Sequence, residues 1–210
     1  MRSPGRRPLV LPLAALLLAG CGQGTSAVPS TAPSVNAPSA ATASSTPPGP
    51  TDVPTVSASP PPFTCDETVR RAGSVPLALL SGFSVANDRG TGRITFAFRS
   101  AGNVAATPDI EIRPAEPQFT RDPSGLPLEV AGTAFLVIVL QGGTALDADY
   151  NPTFEGPFDA HPAGGPIVAV RRAGDFEAVS SWVVGLDGPP CVRLLPPDGS
   201  SRLVIEIETR

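Results

Sequence analysis

The chain has 210 residues, 3 of them cysteine, and its 15 basic residues against 19 acidic ones give a formal net charge of −4. An acidic chain lacks the clustered positive charge that binds phosphate backbones, which argues against nucleic acid as a partner. The 27 prolines and 21 glycines leave little room for long helices.

Residues 1–20 have the pattern of a bacterial signal peptide. An arginine-rich start precedes an apolar run at 9–19, which at about a dozen residues is too short for the roughly 20 that cross a bilayer. The run closes with Leu18-Ala19-Gly20-Cys21, a lipobox. We predict that residues 1–20 are removed and that lipid on Cys21 anchors the protein to the outer side of the cell membrane. The alternative is an ordinary secretory signal with Cys21 just after its cleavage site.

Segment 21–62 consists largely of proline, serine, threonine and alanine, and Asp52 is its only charged residue. Such a composition cannot bury enough apolar surface to offset the entropy lost on ordering. We therefore predict a lipidated, disordered tether over 21–62. The remaining residues, 63–210, have the length of one domain with one core.

The cysteine count permits one pairing. With Cys21 lipidated, Cys65 and Cys191 remain, and outside the membrane an oxidised pair is expected. A loop of this length would stabilise the fold by roughly 5 kcal/mol on the chain-entropy account. Two separate buried thiols are the alternative.

Three segments carry the clearest strand patterns. Segments 93–99 and 203–207 alternate apolar and polar residues, which indicates strands with one buried face. Segment 134–140 is apolar throughout and indicates a central strand buried on both sides. Weaker candidates are 78–83, 109–113, 167–171, 176–186 and 192–195.

Segment 176–186 also fits helical spacing, but valine, serine and glycine at its centre favour a strand. Short strands separated by turn residues predict an all-β fold, an antiparallel β-sandwich over 63–210.

The last third of the chain resembles a known family. The block GDFEAVSSWVVGLD at 174–187 resembles actinobacterial AMIN-like domain-containing lipoproteins. As in that family, a proline-containing turn, CVRLL at 191–195 and a closing strand RLVIEI at 202–207 follow. GRITFAF at 92–98 is similar to one of the family's early strands. The resemblance runs from about 77 to 208 and departs from the family near Phe83, where a histidine-containing stretch is missing.

The resemblance implies a wall-facing β-sandwich without enzymatic activity. AMIN domains proper, to which these domains are similar, bind cell-wall glycan and localise envelope proteins. On this basis we expect peptidoglycan, another wall polymer or an envelope partner as the ligand. The alternatives are a surface lipoprotein that holds a small apolar ligand between its sheets and, third, an envelope hydrolase.

Catalytic and metal-binding patterns are weak. His161 is the only histidine, and no serine lies in a Gly-x-Ser-x-Gly turn, so a Ser-His-Asp hydrolase is not favoured. Asp147, Asp149 and Asn151 start like an EF-hand loop, but proline replaces its glycine and phenylalanine its final glutamate. We predict no catalytic residue, no cofactor and no metal centre.

Five residues are candidates for a binding site. Tyr150, flanked by polar residues, is a candidate stacking surface, and Trp182 is another, although its apolar surroundings favour the core. Arg171 and Arg172 are candidates for bidentate contacts with wall carboxylates or phosphates, close to Asp175. Paired carboxylates for glycoside cleavage would come from Asp175, Glu177 and Asp187, although acidic residues on strands more often keep an edge soluble.

Overall fold

The computed structural model describes residues 59–99 and 104–210. The predicted signal peptide, Cys21 and all but the last part of the predicted tether lie outside the described residues. The described part contains no helix with the length and apolar character of a membrane span. It is built of strands and turns, which confirms the prediction of an all-β domain.

Within this part, the strands in chain order are β1 (Thr64–Cys65), β2 (Val69–Arg71), β3 (Ala78–Asp88), β4 (Thr91–Phe98), β5 (Asp109–Ala115), β6 (Thr120–Arg121), β7 (Leu126–Pro127), β8 (Ala134–Gln141), β9 (Gly143–Thr144), β10 (Asp159–Ala160), β11 (Ile167–Phe176), β12 (Val179–Leu186), β13 (Pro190–Leu194) and β14 (Arg202–Thr209).

The strands form two sheets that pack face to face, and β6 and β7 form a separate hairpin. The first sheet has the order β1-β13-β14-β4-β3-β9 and the second the order β10-β11-β12-β8-β5-β2. Neighbouring strands are antiparallel except for β3 and β9, which are parallel. The predicted antiparallel sandwich is therefore confirmed.

All eight predicted strands are present, with shifted ends. β14 shows the expected alternation, since Leu203, Ile205 and Ile207 are each 0% exposed and face the core. The central strand β8 is buried towards the core, and on its other face Phe135 contacts Phe119 at 5.3 Å between ring centroids. The short strands, such as β2 and β10, have two or three residues and were not predicted.

The helical interpretation of 176–186 is wrong because a tight turn divides this segment. Phe176 ends β11 and pairs with Val179 at the start of β12. The two residues between them, Glu177 and Ala178, have φ of 51° and 59°. A two-residue turn of this kind suits the right-handed twist of a hairpin, and it normally uses glycine or asparagine. Neither is present here, so the sequence carries no recognisable signal for the turn.

An aromatic cluster fills the space between the sheets. The ring centroid of Phe83 in β3 lies 4.5 Å from that of Trp182 in β12, and the centroid of Phe96 in β4 lies 5.1 Å from it. Trp182 and Phe96 are 0% exposed. Because these side chains occupy the interior, the alternative of an apolar ligand held between the sheets gains no support.

A disulfide joins Cys65 and Cys191, as the cysteine count predicted. The two residues are directly opposite each other in the pairing of β1 with β13, and their Cα atoms are 4.1 Å apart. The alternative of two separate thiols is wrong. The bridge ties the start of the described chain to a strand 126 residues further on.

Candidate functional site at the rim of the sandwich

The two adjacent arginines of β11 point to opposite faces of the second sheet. Successive side chains of a strand alternate between faces. Arg172 pairs with Trp182 and lies on the core-facing side, whereas Arg171 pairs with Val183, which belongs to the apolar cluster on the outer face. A bulge follows, since the register shifts between Arg172 and Gly174. The bulge returns Asp175 to the same side as Arg172, opposite Ser180.

A long connection, 145–166, closes the open side of the sandwich between β9 and β11. It contains β10, and its part before β10, residues 145–158, has about the 12–15 residues above which loops without secondary structure are uncommon and often functional. Backbone contacts hold it in place: Thr153 N–H donates to Ala145 O at 2.7 Å, and Arg172 N–H donates to Phe158 O at 3.0 Å. The Thr153 hydroxyl also donates to the carbonyl of Leu80 in β3 at 2.7 Å. The connection is thus an ordered part of the domain.

A pocket of about 240 Å³ lies where this connection meets β11, and we call it the rim pocket. Its walls are mostly apolar, and its lining residues are Ala145, Leu146, Pro152, Phe154, Glu155, Phe158 and Arg172. The rings of Phe154 and Phe158 pack edge to face, with centroids 5.4 Å apart. The guanidinium carbon of Arg172 lies 3.4 Å from the centroid of Phe158. The pocket therefore combines aromatic walls with one cation.

Arg172 is held by Asp175 underneath it. Arg172 Nη1 donates to Asp175 Oδ2 at 3.2 Å, and the backbone N–H of Ala145 donates to the same oxygen at 2.8 Å. The two side chains are 24% and 6% exposed. Burial lowers the pKa of the Arg172 guanidinium, and the charge of Asp175 opposes that effect. A guanidinium nevertheless stays protonated in proteins, so the pocket presents a partly desolvated positive charge.

Asp175 Oδ1 is buried and has no hydrogen-bond partner among the described residues. An unpaired buried acceptor costs free energy, and such groups are rare in folded proteins. Both members of the Arg172–Asp175 pair therefore have atoms without a hydrogen-bond partner. Besides Asp175 Oδ1, these are Arg172 Nε and Nη2, for which no partner is found within the described part of the chain.

Trp182 lies behind the pocket and not in it. Its ring centroid is 6.3 Å from that of Phe158, and its indole N–H donates to Ser180 Oγ at 3.0 Å. Because it is 0% exposed, it offers no free ring face to a ligand. It supports Phe158 from the core side.

Tyr150 is 82% exposed at the tip of a compact turn. The turn is fixed by the Asp147 carboxylate, which accepts the backbone N–H groups of Asp149 at 2.9 Å and Asn151 at 2.8 Å. The bond from the Asn151 backbone is the main reason why the pKa of Asp147 is lowered. Tyr150 has φ of 62°, a left-handed conformation that an aromatic residue rarely adopts. The residues at the base of the turn, Leu146 and Pro152, line the rim pocket, so the turn that carries Tyr150 adjoins the pocket.

Arg171 is engaged elsewhere, on the outer face. It donates from Nη2 to Asp159 Oδ2 at 3.0 Å and from Nη1 to the carbonyl of Glu129 at 2.8 Å. The structure therefore brings Arg172, Asp175 and the Tyr150 turn to one side of the sandwich and places Arg171 on another.

Asp187 does not converge with the other two candidate glycosidase carboxylates, Asp175 and Glu177. Asp175 pairs near the start of β12, whereas Asp187 follows its end and accepts the Thr209 hydroxyl at 2.7 Å. β12 has 8 residues, so the two carboxylates are separated by a strand roughly 23 Å long. Glu177 lies in the exposed hairpin turn. This separation far exceeds the roughly 5 to 9.5 Å that glycoside cleavage requires.

A larger depression of about 610 Å³ lies beside β2. Its arginines have one partner each, as Arg172 has: Arg70 pairs with Glu111 at 2.8 Å, and Arg71 donates to the carbonyl of Leu195 at 2.6 Å. The smaller rim pocket differs in its aromatic walls and in its link to the buried, unpaired Asp175 Oδ1, which makes it the better candidate site.

The comparison with protein families agrees with this architecture. Residues 78–209, from the first residue of β3 to the last residue of β14, match the model of the AMIN-like domain. The chain belongs to the AMIN-like domain family. AMIN-like domains are generally non-catalytic binding modules of a cell-wall-binding type, and membership implies a cell-envelope location outside the cytoplasm. A search of the curated proteins and a search of the solved structures each found no significant match.

The family match covers the rim pocket but not the start of the described chain. β1, β2 and Cys65 precede residue 78, so the disulfide joins a segment outside the match to β13 inside it. The resemblance seen in the sequence is confirmed for the family, while lipidation and an actinobacterial origin stay predictions.

Proposed function

We propose that this protein is a lipid-anchored component of the cell envelope whose AMIN-like domain binds cell-wall polymer, in particular peptidoglycan, without catalysing a reaction. In this proposal Cys21 carries the lipid and segment 21–62 spans the distance between membrane and wall. The rim pocket and the Tyr150 turn provide the binding site.

The observation that carries the proposal is the state of Arg172. Its guanidinium is oriented by Phe158 on one side and Asp175 on another, and it keeps hydrogen-bond donors for a ligand. A planar cation fixed in this way is suited to bidentate contacts with an anionic or polar group. Its partial burial strengthens such contacts relative to those made in open water.

Tyr150 supplies a second contact surface. An exposed ring on a fixed turn is suited to stacking against the apolar face of a sugar, and it loses little side-chain entropy on binding. Tyr150 lies within residues 78–209, the part of the chain that matches the family model.

Sedimentation with purified peptidoglycan sacculi tests wall binding. We expect the full-length protein, extracted from membranes in mild detergent, to sediment with the sacculi. Tyr150→Ala should reduce the bound fraction, because it removes the exposed ring without touching the core. Phe176→Ala is the matched control, since Phe176 is also exposed, at 53%, but lies at the hairpin turn of β11 and β12. Wild-type protein that stays wholly in the supernatant would contradict the proposal.

Mass spectrometry of the membrane-extracted protein tests the anchor separately. We expect a chain that begins at an acylated residue 21, and Cys21→Ser should abolish acylation. An unmodified Cys21 or a retained leader would refute lipid anchoring and leave wall binding to be judged on its own.

A further inference from the structure

We infer that the rim pocket recognises the terminal carboxylate of a peptide whose last residue has a small apolar side chain. This inference rests on the proposed function and narrows it, because it assigns the rim pocket to the peptide part of the wall polymer and leaves the contact with sugars to Tyr150. Arg172 binds the carboxylate, and the apolar walls receive the side chain.

The size of the pocket favours the end of a peptide. At about 240 Å³ it is smaller than the roughly 300–1,000 Å³ of sites that enclose drug-sized ligands. A disaccharide would extend beyond it, whereas one terminal residue fits.

The walls favour an apolar side chain. Leu146, Pro152, Phe154 and Phe158 present carbon surface to the space, and Ala145 lies at its base next to Asp175. Sugar hydroxyl groups against these walls would lose hydrogen bonds to water, and only Arg172 and Glu155 in the pocket lining carry charged groups that could replace them. A methyl-sized side chain gains from the same burial.

The charges disfavour a doubly charged anion. Arg172 keeps the donors of Nε and Nη2, which form the fork that fits a carboxylate. Asp175 pairs with Arg172, and Glu155 lines the pocket. These two carboxylates repel a doubly charged phosphate more strongly than they repel a carboxylate. The selection of a carboxylate over a phosphate group follows from this difference in repulsion, while binding itself rests on the hydrogen bonds that Arg172 donates.

Calorimetric titration of the full-length protein tests the inference. The probes are N-acetyl-alanyl-alanine, its C-terminal carboxamide and inorganic phosphate, with both enantiomers of the last alanine. We expect the acid to bind at least about tenfold more tightly than the carboxamide, the ratio that corresponds to one hydrogen bond between charged groups. Phosphate should not compete at the same concentration. Equal binding of acid and carboxamide, or stronger binding of phosphate, would overturn the inference.

Two variants assign the effect to Arg172. Arg172→Gln keeps a donor for Asp175 and removes the cation, so the preference for the acid should disappear. Arg172→Met combined with Asp175→Asn should give the same result without leaving a buried carboxylate unpaired, which guards against a folding defect. Arg171→Gln is the control, because Arg171 is adjacent in sequence but lies on the outer face. The Arg171→Gln variant should prefer the acid over the carboxamide as strongly as the wild type does, and a loss of this preference would count against the inference.

Soluble glycan strands freed of peptide by amidase, added as competitors to the sedimentation with intact sacculi, separate this inference from the proposed function. If soluble wall fragments that keep their peptides displace the protein from the sacculi and the stripped strands at the same sugar concentration do so less, both hold. Equal displacement by the two competitors overturns the peptide inference and leaves wall binding intact. Binding of the acid probe without sedimentation on sacculi overturns the proposed function and leaves the carboxylate selectivity of the pocket.

Discussion

Two arginine–carboxylate clusters in this domain have similar residues but differ in whether both carboxylate oxygens have hydrogen-bond partners. On the outer face of the first sheet, Glu206 in β14 lies between Arg93 of β4 and Arg193 of β13 in directly paired positions. Arg93 Nε donates to Glu206 Oε1 at 3.2 Å, and Arg193 Nε donates to Oε2 at 2.6 Å. At the rim, Asp175 has one arginine and one oxygen without a partner.

The difference separates a structural ion cluster from a binding site. Both oxygens of Glu206 accept charge-assisted hydrogen bonds, so its carboxylate is satisfied within the fold. At the rim, the partly exposed Arg172 keeps unused donors beside a pocket. The same residue types thus stabilise the fold in one place and remain available in the other.

Glu206→Gln should produce the largest loss of stability, because it removes the only acid between two arginines. Glu206 is 5% exposed, but Arg93 is 58% exposed and therefore screened by solvent. We expect the free energy of unfolding to fall by about 2 kcal/mol, within the range for hydrogen bonds to charged groups. Chemical denaturation measures this change, and binding to sacculi should be unaffected.

Glu208→Gln is the control for that experiment. Glu208 is on the same strand and accepts only the Thr91 hydroxyl, at 3.1 Å. Its effect should lie within about 0.5 kcal/mol, as is usual for surface substitutions. A loss as large as that of Glu206→Gln would show that charge on this face, and not the closed cluster, determines stability.

Asp175→Asn should have a smaller effect on stability, about 1 kcal/mol, because Arg172 stays partly exposed to solvent and the amide oxygen can still accept its hydrogen bond. The amide oxygen can still accept the backbone N–H of Ala145, and the substitution removes the charge from a carboxylate with one unpaired oxygen. Denaturation under the same conditions gives the comparison. If Asp175→Asn were as damaging as Glu206→Gln, the rim pair would be a second structural cluster.

The smallest expected effect is a difference between the wild type and Glu206→Gln in how much acid lowers their stability. Burial tends to raise the pKa of Glu206, but hydrogen bonds from Arg93 and Arg193 outweigh it and the pKa lies below its ordinary value of 4.5. A lowered folded-state pKa contributes stability above the unfolded value, and that contribution is lost as the pH falls through the folded value. The melting temperature should therefore decrease as the pH falls below about 4.5, and the decrease should be less steep in Glu206→Gln than in the wild type. Identical slopes would mean that other acids, such as Asp147 and Asp198, account for the acid response.

The sequence predicted the long strands well because their patterns are local. Alternation in β4 and β14 and the apolar run in β8 follow directly from which face is buried. The two-residue strands β1 and β9 could not be predicted, since their pairing depends on distant partners. The β11–β12 turn also gave no signal, because Glu177 and Ala178 adopt positive φ without the usual glycine or asparagine.

The candidate site was only partly visible in the sequence. Arg172 and Asp175 were named, but the bulge that brings them to one face depends on pairing with β12. Phe154 and Phe158 were missed, since two phenylalanines in a long proline-rich connection read as isolated residues. The available signal was the length of the connection in which the two phenylalanines lie.

The sulfur bridge at Cys65 has a mechanical consequence for a domain pulled from its amino-terminal side. Tension reaching residue 65 passes through a covalent bond to Cys191, inside a strand that is itself paired with β14. Separation of the two-residue strand β1 from β13 therefore stops at Cys65, and the force is distributed over the strands of the first sheet. The load reaches the opposite rim, with Arg172 and its aromatic neighbours, only through the two packed sheets.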